Sequence, residues 1–279
     1  MNQATFWIVD AFIGALNGRI LRGNPAAIVL LDEFGSEAEM LERANEFNLS
    51  ETAFVVPSGD GNFDLRWMTP QTEVDLCGHA TLATARVLCD AGLLGMGATA
   101  RFATRSGVLM AQVKKEGIEL DFPARTTKAC AVPAKLRSGL GLDANEMLYC
   151  GWAGEDYIVR VAPERLETLR PDFKKLLAIE GRGVIVTTHA PPEEEYDFAS
   201  RFFGPRAGVD EDPVTGSAHT ALAPFWANRL GKKQLRAVQL SQRGGALQVE
   251  VRDARVSIIG QTHVRAVGRL CDSLPTISG

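Results

Sequence analysis

The chain has 279 residues, of which 46% are hydrophobic, so it can bury the core of one large domain or of two smaller ones. Its 30 Lys and Arg residues nearly balance 34 Asp and Glu residues, and the net charge of −4 argues against nucleic acid or anionic membranes as partners. No apolar segment reaches the roughly 18 residues that a bilayer span needs, and the first residues lack the layout of a signal peptide. We therefore expect a cytoplasmic protein that contacts no membrane.

The first half of the chain alternates short apolar runs with turn signals. These runs predict a helix at 37–47 and strands at 6–12, 26–31, 53–56, 63–68, 108–113 and 118–122. The sequence GDGN at 59–62 predicts the turn of a hairpin. A second helix is predicted from Ala80 to Gly92, a residue type that tolerates the left-handed conformation found after helix ends.

The second half repeats this layout at a fixed spacing. The helix residues of the first half recur 138 positions later, and the pairs are Gly78 and Gly216, Ala80 and Ala218, Ala83 and Ala221, and Ala85 and Ala223. The hairpin SGVLMAQVKKEGIEL matches GGALQVEVRDARVSI at the same spacing. The sequence therefore predicts two similar α+β halves, 1–128 and 129–279, each with antiparallel strands packed on a central helix.

Both central helices follow a loop that ends in glycine, DLCGHAT in one half and DPVTGSAHT in the other. Free N–H groups at a helix start carry partial positive charge, and a glycine lets a ligand approach the backbone closely. If the halves are related by approximate twofold symmetry, the two starts face one cleft that suits a small anionic substrate. The simpler alternative is that Thr215 and Ser217 are ordinary N-terminal caps.

Five motifs resemble the PhzF-like proteins, the phenazine-biosynthesis isomerase group with the fold of diaminopimelate epimerase. They are VDAF at 9–12, GNPAAIVL at 23–30, NLSETAFV at 48–55, TPQTEVDLCGHATLATA at 69–85 and DEDPVTGSAH at 210–219. The motifs occur in the family's order along the chain. The resemblance implies two domains, each a barrel-like antiparallel sheet around a central helix, with the active site in the cleft between them. It also implies a homodimer.

The resemblance further implies an isomerase or epimerase that needs no cofactor. In that family Glu51 would be the general acid/base of a proton shift on a small carboxylate-bearing, unsaturated or chiral substrate, with His79 and Asp212 also lining the active site. A carboxyl group suits this reaction because it can accept a proton from one carbon and return it to another. Substrate contacts are implied for Asn24, Gly78, Gly216 and Ser217.

Two other functions remain open. An amino-acid racemase or epimerase of the same fold would use a different pair of bases, but a two-thiol mechanism is disfavoured because Cys77 has Thr215 as its counterpart. A binding protein on an enzyme-like scaffold is the other alternative. No metal site is predicted, because the four histidines lack ligand spacing. Five scattered cysteines, at 77, 89, 130, 150 and 271, predict buried thiols and no disulfide framework.

Overall fold

A computed structural model describes residues 4–270, and Cys271 lies outside the described residues. In chain order the strands are β1 (Thr5–Leu16), β2 (Arg19–Leu21), β3 (Asn24–Leu30), β4 (Glu51–Gly59), β5 (Asn62–Met68), β6 (Glu73–Val74), β7 (Thr99–Thr104), β8 (Gly107–Lys114), β9 (Gly117–Pro123), β10 (Lys128–Ala129), β11 (Tyr149–Ala153), β12 (Asp156–Arg160), β13 (Gly183–His189), β14 (Phe198–Gly204), β15 (Val209–Asp212), β16 (Gln234–Gln239), β17 (Gly245–Arg252) and β18 (Arg255–Arg269). The helices are α1 (Glu37–Phe47), α2 (Gly78–Asp90), α3 (Ala134–Leu140), α4 (Pro163–Thr168), α5 (Phe173–Leu176) and α6 (Gly216–Leu230). The predicted α+β class is confirmed. Among the described residues, no helix is both long and apolar enough to cross a bilayer.

The described residues divide into two compact units. The first unit contains residues 4–11, 25–120 and 262–270, and the second contains residues 12–24 and 121–261. This division differs from the predicted single boundary at residue 128, because segments near both ends of the chain belong to the unit formed mainly by the other half. The Pro- and Lys-bearing stretch at 124–135 therefore resembles a linker in composition but lies inside the second unit.

In the first unit, a mixed sheet packs on helix α2. Strands β3 and β4 are parallel, as are β5 and β7, whereas β4 and β5, β7 and β8, and β8 and β9 pair antiparallel. Helix α2 contacts β4 and β8, and its residues 79–85 are all buried. A helix without an exposed polar face is surrounded by protein, so α2 is the predicted central helix. Helix α1 begins at a capping box formed by Ser36 and Glu39 and packs on β4 and β5.

The second unit repeats the same pattern of strand directions. Strands β12 and β13 are parallel, as are β14 and β16, and β16, β17 and β18 form antiparallel pairs. Helix α6 contacts β16 and β17 and is the central helix of this unit. Helix α6, β17 and β18 begin 138 positions after α2, β8 and β9. The predicted spacing therefore holds for the starts of three elements. The two parallel pairs in each unit depart from the antiparallel pattern that the sequence predicts.

Candidate functional site

The first group of predicted site residues lies where β4 and α2 begin. Glu51 is the first residue of β4 and pairs with Ala26 in the parallel ladder. Cys77 precedes α2, Gly78 opens the helix, and His79 follows. The side chains of His79 and Glu51 are only 7% and 20% exposed, so they meet in a largely dry environment.

The imidazole of His79 lies between a carboxyl group and a thiol. Its Nε2 is 3.3 Å from Oε2 of Glu51, and its Nδ1 is 3.5 Å from Sγ of Cys77. Burial lowers the pKa of His79 to about 4, so the ring is neutral at pH 7 and carries one N–H. With Glu51 ionised, that hydrogen belongs on Nε2, and the Cys77 thiol can donate to Nδ1. With Glu51 protonated, the acid can donate to Nε2, and the hydrogen on Nδ1 points to sulfur.

Glu51, Cys77 and His79 also offer three metal-ligating atoms within 4.8 Å of one another. The spacing of the histidines could not indicate this set, because its members come from a strand and a distant helix start. The two short contacts of His79 use different ring nitrogens.

The second group of predicted site residues surrounds the start of α6. Asn24 donates from Nδ2 to Oδ1 of Asp212 at 2.8 Å and to the carbonyl oxygen of Val214 at 3.0 Å. Thr215 donates its hydroxyl hydrogen to Oδ2 of Asp212 at 2.5 Å. Both carboxylate oxygens of Asp212 therefore accept hydrogen bonds within their own unit, which fixes the loop ahead of the helix.

The side chain of Gln239 completes this arrangement. Its Oε1 accepts from the backbone N–H of Thr215 at 2.9 Å, and its Nε2 donates to the carbonyl oxygen of Asp212 at 2.8 Å. Gln239 is completely buried. Burial raises the pKa of Asp212 to about 6, although the hydrogen bonds from Thr215 and Asn24 act in the opposite direction.

A charged cluster holds the first turn of α6 from another side. Arg125 donates from Nη2 to the carbonyl oxygen of Ser217 at 2.6 Å and from Nε to the hydroxyl of Thr220 at 2.9 Å. The buried carboxylate of Asp156 accepts from Arg125 and, through both oxygens, from Arg182. Ser217 and Gly216 are therefore part of a turn that is fixed by side chains outside the helix.

The helix starts are not capped in the ordinary way. Within residues 4–270, the N-cap residue is Cys77 in α2 and Thr215 in α6, and neither side chain accepts a hydrogen bond from a backbone N–H of its helix. The hydroxyl of Thr215 instead points back to Asp212. The interpretation of Thr215 as a simple cap is therefore wrong.

The structure brings the predicted residues together within each unit. Glu51 and His79 meet beside Gly78, and Asn24 and Asp212 meet just ahead of Gly216 and Ser217. Sequence reasoning missed the thiol contact with His79, the hydroxyl of Thr215 and the amide of Gln239. A polar residue that directly follows two apolar residues at the end of a strand, as Gln239 follows Ala237 and Val238 in β16, was the available signal.

Comparison with known proteins identifies the family. The model of the phenazine biosynthesis-like protein family matches residues 9–268. The chain belongs to this family. An uncharacterized isomerase of Pseudomonas aeruginosa is 46% identical over 96% of this chain and 99% of its own length. The prediction of an isomerase is confirmed at the level of the family.

Solved structures agree with this assignment. A PhzF family protein of Enterococcus faecalis has a TM-score of 0.87 and 39% identity, covering 96% of this chain and 99% of its own. A hydroxyproline epimerase of Agrobacterium vitis has a TM-score of 0.63 and 11% identity, covering 98% of this chain and 94% of its own. At that identity the second likeness is one of fold alone, and it agrees with the predicted epimerase-like architecture.

Proposed function

We propose that the protein is a cofactor-independent isomerase in which Glu51 moves a proton between two carbons of a small carboxylate-bearing substrate that is unsaturated or chiral. The observation that carries this proposal is the contact of 3.3 Å between Oε2 of Glu51 and Nε2 of His79 at the start of α2. A carboxyl group that shuttles a proton must be held in place and must lie beside a group that tolerates both of its charge states. A neutral imidazole meets the second requirement because it carries one donor nitrogen and one acceptor nitrogen.

In the proposed reaction, Glu51 begins as a carboxylate that lies 3.3 Å from Nε2 of His79. It removes a proton from one substrate carbon, becomes a carboxylic acid, and then returns the proton to another carbon of the same substrate. The backbone N–H of Gly78 at the start of α2 would donate a hydrogen bond to an anionic oxygen of the substrate, since a helix start carries partial positive charge. His79 would assist by orienting Glu51.

The start of α6 is proposed as a second place for an anionic group. Asp212, Asn24 and Gln239 fix the loop so that the N–H groups of Gly216 and Ser217 are held in one orientation. This role makes Asp212 a residue that positions the binding backbone. The expectation that both helix starts act on one substrate in a single cleft stays a prediction.

We also propose that the two units arose by duplication and that the protein is a cytoplasmic homodimer. The shared spacing of 138 residues supports the duplication, and the dimer rests on the family resemblance alone. Sedimentation of the purified chain tests the dimer directly, because one species of single-chain mass would contradict it.

Deuterium uptake from D₂O, followed by NMR, tests the proposed reaction. The panel includes trans-2,3-dihydro-3-hydroxyanthranilate, small unsaturated acids, and simple chiral acids and amino acids. We expect wild type to exchange a carbon-bound proton of one substrate, Glu51→Gln to lose that exchange, and the matched variant of an exposed glutamate, Glu42→Gln, to keep it. Full exchange by Glu51→Gln would contradict the proposal. Exchange of an amino-acid α-proton that persists in Glu51→Gln would favour a racemase, and ligand binding without exchange would favour a binding protein.

A further inference from the structure

Two cysteines outside the candidate site face each other on neighbouring strands of the second unit. Cys130 directly follows β10, and Cys150 lies in β11. Their Sγ atoms are 3.8 Å apart. The backbone N–H of Cys130 donates to the carbonyl oxygen of Cys150 at 3.1 Å, and this bond continues the antiparallel ladder in which Ala129 pairs with Gly151. The two residues are therefore directly opposite each other.

This position suits a disulfide bond. Opposite residues of an antiparallel ladder have Cα atoms about 4.5–5.5 Å apart, inside the range of about 4.4–6.8 Å found in disulfides. An S–S bond of about 2.05 Å requires the two sulfurs to approach by roughly 1.8 Å. Rotation of the cysteine side chains can supply most of this movement, because the backbones already have the required separation.

The two thiols differ in their access to solvent. Cys150 is 7% exposed and belongs to a cluster of buried apolar side chains that includes Val159 and Val186, whereas Cys130 packs against the edge of that cluster and is only partly buried. Burial raises the pKa of Cys150 to about 12, with a further contribution from Cys130 beside it. A small oxidant therefore reaches Cys130 first, and Cys150 is placed to react with the product.

We propose that Cys130 and Cys150 form a reversible redox pair that is oxidised by hydroperoxides to an intramolecular disulfide. In the first step the Cys130 thiolate attacks a peroxide oxygen, the O–O bond breaks, and Cys130 becomes a sulfenic acid with release of hydroxide or an alkoxide. In the second step the sulfur of Cys150 attacks the sulfur of Cys130, the S–O bond breaks, and water leaves with the proton of Cys150. The two thiols lose two electrons, which the peroxide accepts, and a dithiol reductant reverses the change.

The bond would attach a short strand to its neighbour. Strand β10 pairs with β11 through Lys128 and Ala129. A disulfide at the next position would close the segment 131–149, which contains α3, and would restrain the unfolded chain over that length. The oxidised protein is therefore expected to hold β10 more firmly and to unfold at a higher temperature. This inference does not depend on the proposed isomerase reaction.

Peptide mapping under non-reducing conditions tests the proposal. The purified, folded full chain is treated with hydrogen peroxide, free thiols are alkylated, and the protein is digested with trypsin. Cleavage after Lys128, Lys135, Arg137 and Arg160 separates the two cysteines into peptides 129–135 and 138–160. We expect these peptides to appear joined, with the loss of two hydrogen atoms, and to separate after reduction with dithiothreitol. Amide exchange of residues 128–130 should slow several-fold in the oxidised protein, and its Tm should rise by a few degrees.

Two variants serve as controls for this mapping. Cys130→Ser should abolish the joined peptide and both physical effects, whereas Cys89→Ser, which removes another partly buried thiol, should change none of them. Stable sulfinic acid on Cys130 with Cys150 still open to alkylation would overturn the proposal. A disulfide that joins either cysteine to a different partner, or to a second chain, would also overturn it. Because the mapping is done on wild type, the result stands even if a variant folds poorly.

Discussion

Helices α2 and α6 begin 138 positions apart with the same glycine, yet their surroundings differ in kind. The start of α2 gathers three titratable groups, whereas the start of α6 is enclosed by hydrogen bonds that occupy both oxygens of Asp212. The strands show the same contrast. Glu51 opens β4 in its parallel pair, and Gly183 opens β13 in the equivalent pair, where an added Cβ would lie 2.4 Å from Cζ of Phe202. The same helix start therefore carries a cluster of titratable groups in one unit and a fixed hydrogen-bond network in the other.

The largest expected effect is on the rate of proton exchange, which should fall much further when Glu51 beside α2 is changed than when Asp212 beside α6 is changed. Glu51→Gln should lower proton exchange about 10²–10⁴-fold, the usual contribution of a general acid/base. Asp212→Asn should cause a smaller loss, because the amide oxygen of the new side chain can still accept from Asn24. The change would then alter only the position of the backbone at the start of α6. The rate of deuterium uptake at saturating substrate measures both. Equal losses in the two variants would contradict the proposed difference between the helix starts.

A buried neutral histidine in each central helix predicts a dependence of stability on pH. Burial lowers the pKa of His219 in α6 to about 4, as it does for His79 in α2. As the pH falls, the histidine of the unfolded chain binds a proton before the histidine of the folded protein does. The contribution of the neutral histidine to stability is therefore complete above about pH 6.5 and is lost as the pH falls towards 4. For one histidine with this lowered pKa the loss is on the order of 3 kcal/mol. Urea unfolding at several pH values measures it.

The matched comparison for this effect is His219→Gln against His263→Gln, which changes an exposed histidine of β18. His219→Gln should lose less stability than wild type between pH 6.5 and 4, and His263→Gln should follow wild type. Asp212 acts in the opposite direction, because its raised pKa gives stabilisation that is present below 3.8 and lost as the pH rises through about 6. That contribution cancels when variant and wild type are subtracted. Parallel curves would exclude a buried neutral His219.

A third prediction concerns the hydrogen bonds that fix the start of α6. Gln239→Leu removes the acceptor of the Thr215 N–H and the donor to the Asp212 carbonyl. The free energy of unfolding should fall by about 2 kcal/mol, because buried polar groups are left without partners. Gln234→Leu on the same strand should have little effect, since Gln234 is exposed and its side chain donates to the exposed strand neighbour Glu250. Equal stabilities in urea would show that the Gln239 bonds contribute little.

The smallest effect tests the thiol beside His79. Cys77→Ala removes the group that lies 3.5 Å from Nδ1, so the balance of tautomers should shift while stability changes by less than about 1 kcal/mol. Nitrogen NMR shifts of the His79 ring report this balance. Cys77→Ser, which keeps a hydrogen-bonding group, should lie between alanine and wild type, and Cys89→Ala should leave the ring signals unchanged. Identical His79 signals in all variants would show that Cys77 does not influence the His79 tautomer.

Local sequence signals predicted several elements closely. Helix α1 spans the predicted residues 37–47 because Ser36 and Glu39 form a capping box that defines its start. The predicted turn GDGN joins β4 and β5, with Asp60 and Gly61 both at positive φ. In each case the deciding interactions lie within a few residues, so the sequence alone carries them.

Other features depend on distant contacts. The two compact units differ from the predicted halves in the assignment of residues 12–24 and 262–270, since strand pairing over such distances leaves no local signal. Helix α2 begins two residues before the predicted Ala80, at Gly78, because the packing of its buried face outweighs the low helix propensity of glycine.

By itself, the sequence determined the family, the α+β class, the repeat of 138 residues and the candidate residues Glu51, His79 and Asp212, because these depend on motifs and on spacing along the chain. Only the tertiary structure decided which side chains meet. It places the thiol of Cys77 against His79 and Cys130 opposite Cys150. It also shows that the hydroxyl of Thr215 donates to Asp212 and does not cap the helix. Such contacts depend on side-chain direction, burial and the register of strands, and a linear pattern of residues does not specify these.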